Sequence, residues 1–496
     1  MKLNFSTYKD KVYACWVGKN IGGTMGTPYE SVRHTLDIKG YATEANVVLP
    51  NDDLDLQLVW LDAVRKIGPF DLTAAKLGEF WLDFIVPYWN EYGIGKANMM
   101  RGLMPPLAGD YKNDWKHSNG AWIRTEIWAC LAPACPEVAA KFSIEDALVD
   151  HGAGEGTYAA AFVAALQSAA FVCNDIHKLV DLALTKIPAD CRVAKTVRLV
   201  FDCYRDGVPA MECRERVLAL NADIGDGWFE APSNIGYTAL GLVYGEGDFK
   251  KSMITAINCG DDTDCTAATV GATLGIMYGM AGIPKDWQDH IGDSIAIKCM
   301  NLCTGASYPK TCTELTEKVV ATAPMVLNAN VIYAQSKTRK PKPEKVEFTD
   351  GPDEIPENIF DIFYADFVTL ERLTNLKPYT FEVPFGPVNA IVTYDREPDI
   401  TPNGTIKAHI RFENLWRIYG NVLHNLTLRW LLPEGFKVEG PKAHLLMHHN
   451  AHQQHASEAD YIITAGEHVE ATNRLVLEVV IEGHHTVGYI PLVLLG

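Results

Sequence analysis

The sequence has no apolar run long enough to span a bilayer, and it carries little positive charge for its size. Its 496 residues include 62 acidic and 44 basic side chains, a formal net charge of −18. A nucleic-acid groove or an anionic membrane surface is bound through basic patches, so we expect neither partner. The amino-terminal segment has charged Lys9, Asp10 and Lys11 where a signal peptide has its apolar core. We therefore expect a cytoplasmic protein.

C-x-x-C pairs are also lacking, although the chain contains twelve cysteines between Cys15 and Cys312. Several of them follow apolar helical segments, as Cys173 does. Their spacing fits no disulfide framework, which indicates buried, reduced thiols and agrees with a cytoplasmic location. Internal repeats and low-complexity tracts are absent, and the sequence gives no indication of the oligomeric state.

Two clusters of carboxylates are the most informative feature that is present. Residues 51–55 read Asn-Asp-Asp-Leu-Asp, and residues 261–264 read Asp-Asp-Thr-Asp. Each cluster precedes a long apolar stretch with helical spacing, so each is expected at a helix N-terminus, where one or two anions are favourable. Six carboxylates brought together would repel one another unless they bound a divalent cation such as Mg²⁺, Mn²⁺ or Ca²⁺. Two unrelated, solvated helix caps are the alternative interpretation.

The pattern of the chain changes near its middle and predicts more than one domain. Helical patterning predicts an all-α domain over residues 1–330, where Gly18, Gly22 and Gly26 indicate close helix packing. Lysine and proline then mark a linker over residues 331–375. Short alternating strands over residues 376–496 predict an antiparallel, immunoglobulin-like β-sandwich.

Four motifs occur in order along the helical part of the chain. They are Gly18-x3-Gly22-Gly23-x2-Gly26-x-Pro28-x-Glu30, Asn51-Asp52-Asp53, Asn119-Gly120-Ala121-x2-Arg124 with His151-Gly152-x2-Glu155-Gly156-x-Tyr158, and Gly260-x-Asp262-Thr263-Asp264-Cys265-x-Ala267. Together they resemble the motifs of the ADP-ribosylglycohydrolase family over about residues 10–300. The second and fourth motifs carry most of the resemblance.

The resemblance implies an all-helical fold in which Mg²⁺ or Mn²⁺, with Ca²⁺ as an alternative, is held as one or two ions between these helix starts. The metal ligands it implies are Asn51, Asp52, Asp53, Asp262 and Asp264. It also implies Glu30 and Asp53 as the catalytic carboxylates, and Asn119, Gly120, His151 and Gly152 as substrate-binding residues. Family members cleave the bond between C1″ of ADP-ribose and an arginine, serine or acetyl oxygen, so the implied partner is a small-molecule or protein-linked glycoside.

Three positions depart from the family's pattern. Gly23 replaces an aspartate, Asn51 replaces a threonine, and Cys265 replaces a threonine whose hydroxyl binds the metal in relatives. A thiol is a poor ligand for Mg²⁺. Three consequences stay open at this point: one metal position is lost, Asp261 fills it, or a softer metal is used.

The sequence therefore predicts a metal-dependent hydrolase of a glycosidic bond, in which a positioned water attacks the anomeric carbon. The default substrate is an ADP-ribosyl group. A sugar or nucleoside-like glycoside on the same scaffold is one alternative, favoured by the sandwich, which weakly resembles modules of carbohydrate-active enzymes. A non-catalytic, metal-containing ligand-binding protein is the other alternative, favoured by Cys265. The presence of Glu30 together with the aspartates favours an enzyme.

Overall fold

A computed structural model of the chain describes residues 1–225, 229–302, 307–337, 345–365, 367–414, 424–446 and 456–496. Two compact units are found, one formed by residues 1–93 with 114–375 and the other by residues 94–113 with 376–496. None of the helices in the described ranges combines the length and the hydropathy that crossing a membrane requires.

The described helices are α1 (Phe5–Gly26), α2 (Asp52–Ile67), α3 (Ala74–Phe84), α4 (Asn90–Met100), α5 (Leu107–Asp110), α6 (Glu126–Leu131), α7 (Pro136–Ala147), α8 (Glu155–Ala170), α9 (Ile176–Leu184), α10 (Arg192–Arg205), α11 (Ala210–Leu220), α12 (Ala231–Gly245), α13 (Phe249–Ile257), α14 (Thr263–Tyr278), α15 (Lys285–Ile291), α16 (Cys312–Lys337), α17 (Ile359–Tyr364) and α18 (Val368–Thr374).

The described strands are β1 (Lys2–Asn4), β2 (Glu347–Thr349), β3 (Thr380–Phe385), β4 (Val388–Tyr394), β5 (Thr405–Asn414), β6 (His424–Leu431), β7 (Lys437–Glu439), β8 (Ala443–Leu446), β9 (Ala456–Thr464), β10 (Thr472–Ile481) and β11 (Val487–Leu495). Strands β1 and β2 form a short parallel pair within the helical unit.

The first unit is built around the antiparallel contact between α1 and α14. Helix α1 begins where the Asn4 side chain accepts a hydrogen bond from the Thr7 amide at 2.8 Å. A Cβ added at Gly18 would lie 2.2 Å from the carbonyl oxygen of Gly271, so the two backbones are in direct contact. The glycine spacing in α1 therefore serves helix packing, as the sequence predicts.

Both acidic clusters lie at helix starts, as the sequence predicts. Helix α2 begins at Asp52, so Asp52, Asp53 and Asp55 occupy its first turn. Helix α14 begins directly after Asp262 and has Asp264 in its first turn. The partial positive charge of a helix N-terminus favours anions in these positions.

The second unit contains two antiparallel sheets, in the orders β3-β4-β5-β9-β7 and β11-β10-β6-β8. Alternate side chains of β5 and β10 are buried, which is the pattern of strands with one face on a core. The sheets pack face to face, since Trp430 on β6 lies 5.5 Å from Tyr461 on β9 between ring centroids. The predicted fold class, an all-α domain followed by an antiparallel β-sandwich, is confirmed; the sheets form no closed barrel in the described ranges.

The expected linker has its lysine- and proline-rich centre at residues 338–344, which lie outside the described residues. The part from residue 345 to 375 carries β2, α17 and α18 and groups with the helical unit. The domain boundaries themselves stay a prediction.

Candidate active site

The two acidic helix starts meet in space. The Cys265 thiol at the start of α14 donates a hydrogen bond to Asp53 Oδ1 at the start of α2, at 3.2 Å. Ligand atoms of Asp53, Asp264 and Cys265 lie within 4.8 Å of one another, and so do those of Glu30, Asp262 and Asp264. The alternative of two unrelated helix caps is therefore excluded.

A cavity of about 330 Å³ opens above these carboxylates. The predicted site residues that line it are Glu30, Asn51, Asp52, Asn119, Gly120, Asp262 and Asp264. Asp53, His151 and Gly152 are not among its described lining residues. The cavity wall also includes Trp89, Glu91, Tyr92 and Lys298, none of which the motifs indicate.

The residues present fit a divalent cation. Asp264 Oδ1 and Asp53 Oδ2 are buried, and neither has a hydrogen-bond partner within the described part of the chain. Burial and then the neighbouring carboxylate of Asp262 raise the pKa of Asp264 well above its usual range, and burial raises that of Asp53 to about 7. Hard, unsatisfied carboxylate oxygens of this kind are the ligands that Mg²⁺ and Mn²⁺ prefer.

Cys265 acts as a hydrogen-bond donor at this site. Burial raises the pKa of its thiol well above the ordinary value. The thiol therefore stays protonated and donates its hydrogen bond to Asp53. The second open consequence, replacement by Asp261, finds no support. Both Asp261 oxygens are engaged, one with Asn234 Nδ2 at 3.0 Å and the other with the Phe229 amide at 3.4 Å.

Asp261 instead holds the Glu30 segment against α14. Its carbonyl accepts from the Ser31 amide at 2.9 Å, and its amide donates to the Val32 carbonyl at 2.7 Å. Glu30, which follows a short 3₁₀ turn over Thr27–Tyr29, is thereby placed next to Asp262 and remains exposed at the cavity. Partial loss of water, followed by the charge of Asp52, raises the pKa of Glu30.

Asn119 and Tyr92 each hold one aspartate of the site. The Asn119 amide donates to Asp262 Oδ2 at 2.6 Å and accepts from Trp122 Nε1 at 2.9 Å. The Tyr92 hydroxyl donates to Asp52 Oδ2 at 2.7 Å. Asn119 therefore has a positioning contact in addition to its predicted substrate-binding role, which stays a prediction.

His151 and Gly152 lie behind the cavity wall. His151 Nδ1 is 2.9 Å from Asp150 Oδ1, and its Nε2 is 3.3 Å from Ser118 Oγ. Gly152 accepts a hydrogen bond from the Thr157 hydroxyl through its carbonyl at 2.7 Å. Their contact with a substrate stays a prediction, since both are buried in this structure.

Sequence reasoning missed a buried cation beneath the site. Lys19 Nζ, 1% exposed, lies 3.1 Å from Glu126 Oε2 and 3.6 Å from Asp53 Oδ2, and it donates to the Ile123 carbonyl at 2.7 Å. These carboxylates outweigh the effect of burial and raise the pKa of Lys19. The signal that could have identified it is a lysine within the apolar, glycine-rich second half of α1.

Asp55, in the first turn of α2, has a structural role at the cavity. Its Oδ2 accepts from the amides of Lys298 and Cys299 at 2.6 and 2.7 Å, and both of those residues line the cavity. Burial raises the pKa of Asp55 to about 7. Its carboxylate thus fixes one wall of the cavity.

The helical unit thus holds converging carboxylates that could bind a cation at an open cavity. The profile of the family described as ADP-ribosylglycohydrolase matches residues 4–320, more than half of the chain. The chain belongs to the ADP-ribosylglycohydrolase family.

Individual relatives match over a short segment. An ADP-ribosylarginine hydrolase, Tri1, of Serratia proteamaculans (strain 568) is 40% identical over 53 residues, which are 11% of this chain and 14% of that protein. The Tri1 protein of Pseudomonas putida (strain GB-1) is 36% identical over 53 residues, with the same shares. The chain thus matches about one seventh of the length of these curated relatives. A solved structure described as an ADP-ribosylglycohydrolase-related protein complex is 17% identical, with a TM-score of 0.38. The match covers 65% of this chain and 99% of the chain in that structure.

Proposed function

We propose that this protein hydrolyses a glycosidic bond in a reaction that depends on a divalent cation, Mg²⁺ or Mn²⁺. The convergence of Glu30, Asp262 and Asp264 within 4.8 Å at an open cavity is the observation that carries the proposal. Membership of a hydrolase family supports it. In this proposal Asn51, Asp52, Asp53, Asp262 and Asp264 hold the cation.

A bound cation would supply positive charge that orients the substrate's hydroxyl groups and an attacking water. In this proposal Glu30 takes the proton of that water at its carboxylate, a role supported by its exposure at the cavity next to Asp262. Asp53, the other predicted catalytic carboxylate, is fully buried against Lys19 and Cys265, which favours a role as ligand. Asn119 keeps Asp262 in position through its amide.

The default substrate is an ADP-ribosyl group on a protein or a small molecule, as the name of the Tri1 relatives suggests. A neutral sugar glycoside is the second candidate, because the cavity wall offers a diphosphate few partners. Lys298 is the one cationic side chain among the described residues that line the cavity. Trp89, 46% exposed on the same wall, offers an apolar face for a sugar ring.

An activity screen of the full chain with Mn²⁺, with Mg²⁺ and with a chelator tests these candidates. ADP-ribosylarginine and a panel of 4-nitrophenyl glycosides of neutral sugars are the substrates. We expect cation-dependent release of product from one of the two classes. Turnover that the chelator leaves unchanged would contradict the dependence on a cation. Absence of turnover, combined with Mn²⁺ binding that raises the melting temperature, would favour the non-catalytic, metal-containing binder.

A further inference from the structure

Glu91, in the first turn of α4, is a cavity carboxylate that none of the sequence motifs includes. It lines the cavity although only 4% of the residue is exposed. Its Oε1 accepts a hydrogen bond from the Gly120 amide at 3.2 Å. Its Oε2 is buried and has no hydrogen-bond partner among the described residues. A buried, unsatisfied carboxyl oxygen in a cavity wall is costly unless a ligand or a proton satisfies it.

A line of polar groups supports Glu91 from behind. His151 Nε2 lies 3.9 Å from Glu91 Oε1 and 3.3 Å from Ser118 Oγ, and His151 Nδ1 lies 2.9 Å from Asp150 Oδ1. Asp150 is in turn held by the guanidinium of Arg124 at 2.8 Å. The ring of His151 packs closely on Gly156, where an added Cβ would lie 2.1 Å from its Cδ2. Glu91 is thus oriented by the Gly120 amide, with the His151 imidazole beside it.

Two adjacent residues connect Glu91 to the carboxylates of the proposed cation site. Asn119 bonds Asp262 through its side chain, and Gly120 bonds Glu91 through its amide. On the other side, Tyr92 follows Glu91 directly in the chain and bonds Asp52. The part of the wall that carries Glu91 is thus bonded on both sides to predicted metal ligands, and Glu91 and Glu30 line the same cavity.

We propose that Glu91 is the catalytic acid of this site, with His151 as its positioning residue. The proposal rests on the function proposed above. As the bond from the anomeric carbon to the leaving group breaks, the leaving-group atom takes the proton of the Glu91 carboxyl group. The water oxygen bonds to the anomeric carbon, and the proton of that water goes to Glu30. After the products leave, Glu30 releases its proton to solvent and Glu91 takes one from solvent, so the enzyme returns to its first state.

The surroundings of Glu91 suit a carboxyl group that holds a proton. Burial, followed by the charge of Asp150, raises the pKa of Glu91, whereas the imidazole of His151 acts in the opposite direction. Ser118 and Tyr92 are the other polar groups packed beside it, and Glu30, Asp52, Asp262, Asp264 and Lys298 face the cavity. A pair of carboxyl groups, one protonated and one ionised, is the arrangement that glycosidic cleavage requires.

Glu91→Gln tests the proposal, because the glutamine carbonyl can still accept from the Gly120 amide while the acidic proton is lost. The probes are a peptide ADP-ribosylated on serine, whose leaving oxygen needs a proton, and 4-nitrophenyl ADP-riboside, whose nitrophenolate leaving group does not. If the wild type prefers a neutral sugar, the alkyl and 4-nitrophenyl glycosides of that sugar replace them. We expect kcat to fall at least about 100-fold on the demanding substrate and less than about 5-fold on the nitrophenyl one.

The pH profile and two further variants complete the test. If Glu91 must hold a proton, the kcat of the wild type falls at high pH as Glu91 loses it. Glu91→Gln is expected to abolish this fall in kcat, and His151→Asn is expected to shift the pH at which the fall occurs. Glu145→Gln is the matched control, since Glu145 is a buried glutamate bonded to the Ala74 amide and to Arg372. Glu145→Gln should leave the ratio of the kcat values for the two substrates unchanged. Equal losses on both substrates in Glu91→Gln, or no loss, would overturn the role of Glu91. A wild type that hydrolyses neither class would overturn the proposed function as well.

Discussion

The side-chain amide of Asn51 fills the space beside Gly23. A Cβ added at Gly23 would lie 2.2 Å from Asn51 Nδ2, so no larger residue fits at position 23 while the amide stays in place. The two departures from the family's pattern at these positions are therefore coupled. The missing carboxylate at position 23 makes room for a longer, neutral oxygen donor at position 51, at the N-terminus of α2.

Gly23→Ala is predicted to separate folding stability from cation binding. Only the end of a flexible side chain obstructs the new methyl group, so Asn51 can rotate away at low cost. The free energy of unfolding should be unchanged or higher by up to about 1 kcal/mol, because alanine favours a helix interior. The affinity for Mn²⁺, measured by calorimetry, should fall in Gly23→Ala and to a similar extent in Asn51→Ala. Gly40→Ala, where the methyl group meets open space, is the control. Unchanged affinity in Gly23→Ala would count against the coupling.

Gly22→Ala, one residue away, is predicted to have the opposite profile. Its Cβ would lie 2.3 Å from the carbonyl carbon and oxygen of Ala267 in α14, and a backbone cannot rotate away. The helices would have to separate along their central contact, which we expect to cost at least about 3 kcal/mol in a urea unfolding experiment. A cost within about 1 kcal/mol would show that the α1–α14 contact is looser than described.

The acidic clusters and their helices could be predicted from the sequence, but the buried polar groups around them could not. Asp52, Asp53, Asp262 and Asp264 stand in dense local patterns, so their position at helix starts was predictable. Glu91 has no acidic neighbour in the chain, and its relation to the cavity depends on packing between distant elements. The sandwich was predictable because strands such as β5 alternate strictly. That the sandwich forms one compact unit with residues 94–113 could not be predicted, since nothing in the sequence of that helical segment indicates it.

Lys19→Met is predicted to destabilise the helical unit strongly. Its removal leaves Glu126 and Asp53 buried without their cation, a change that typically costs about 3–5 kcal/mol. Adding Glu126→Gln should recover most of this loss, because one uncompensated charge disappears. Lys285→Met is the control, since the ion pair of Lys285 with Asp289 is exposed and should contribute less than about 1 kcal/mol. Chemical unfolding at pH 7 measures all three. A loss in Lys19→Met no larger than in the control would contradict the buried network.

His117 is predicted to make stability depend on pH. Its Nδ1 accepts from the Glu155 amide at the start of α8, at 3.1 Å, and burial lowers its pKa from 6.5 to about 4. Between these values the unfolded chain binds more protons than the folded one, so stability falls as pH falls through this window. From pH 7 to pH 5 the wild type should lose about 1–2 kcal/mol more than His117→Asn, in which an amide oxygen accepts without titrating. Parallel pH dependence of the two proteins in urea unfolding would exclude this contribution.

Binding of Mn²⁺ is the most direct test of the claim that the two acidic helix starts hold a cation. The free ion can be followed by electron paramagnetic resonance in titrations of the wild type and of Asp264→Asn. Our account predicts that the wild type binds Mn²⁺ and that Asp264→Asn loses this binding while its metal-free melting temperature does not fall. Equal Mn²⁺ binding by the two proteins, or none by the wild type, would contradict it.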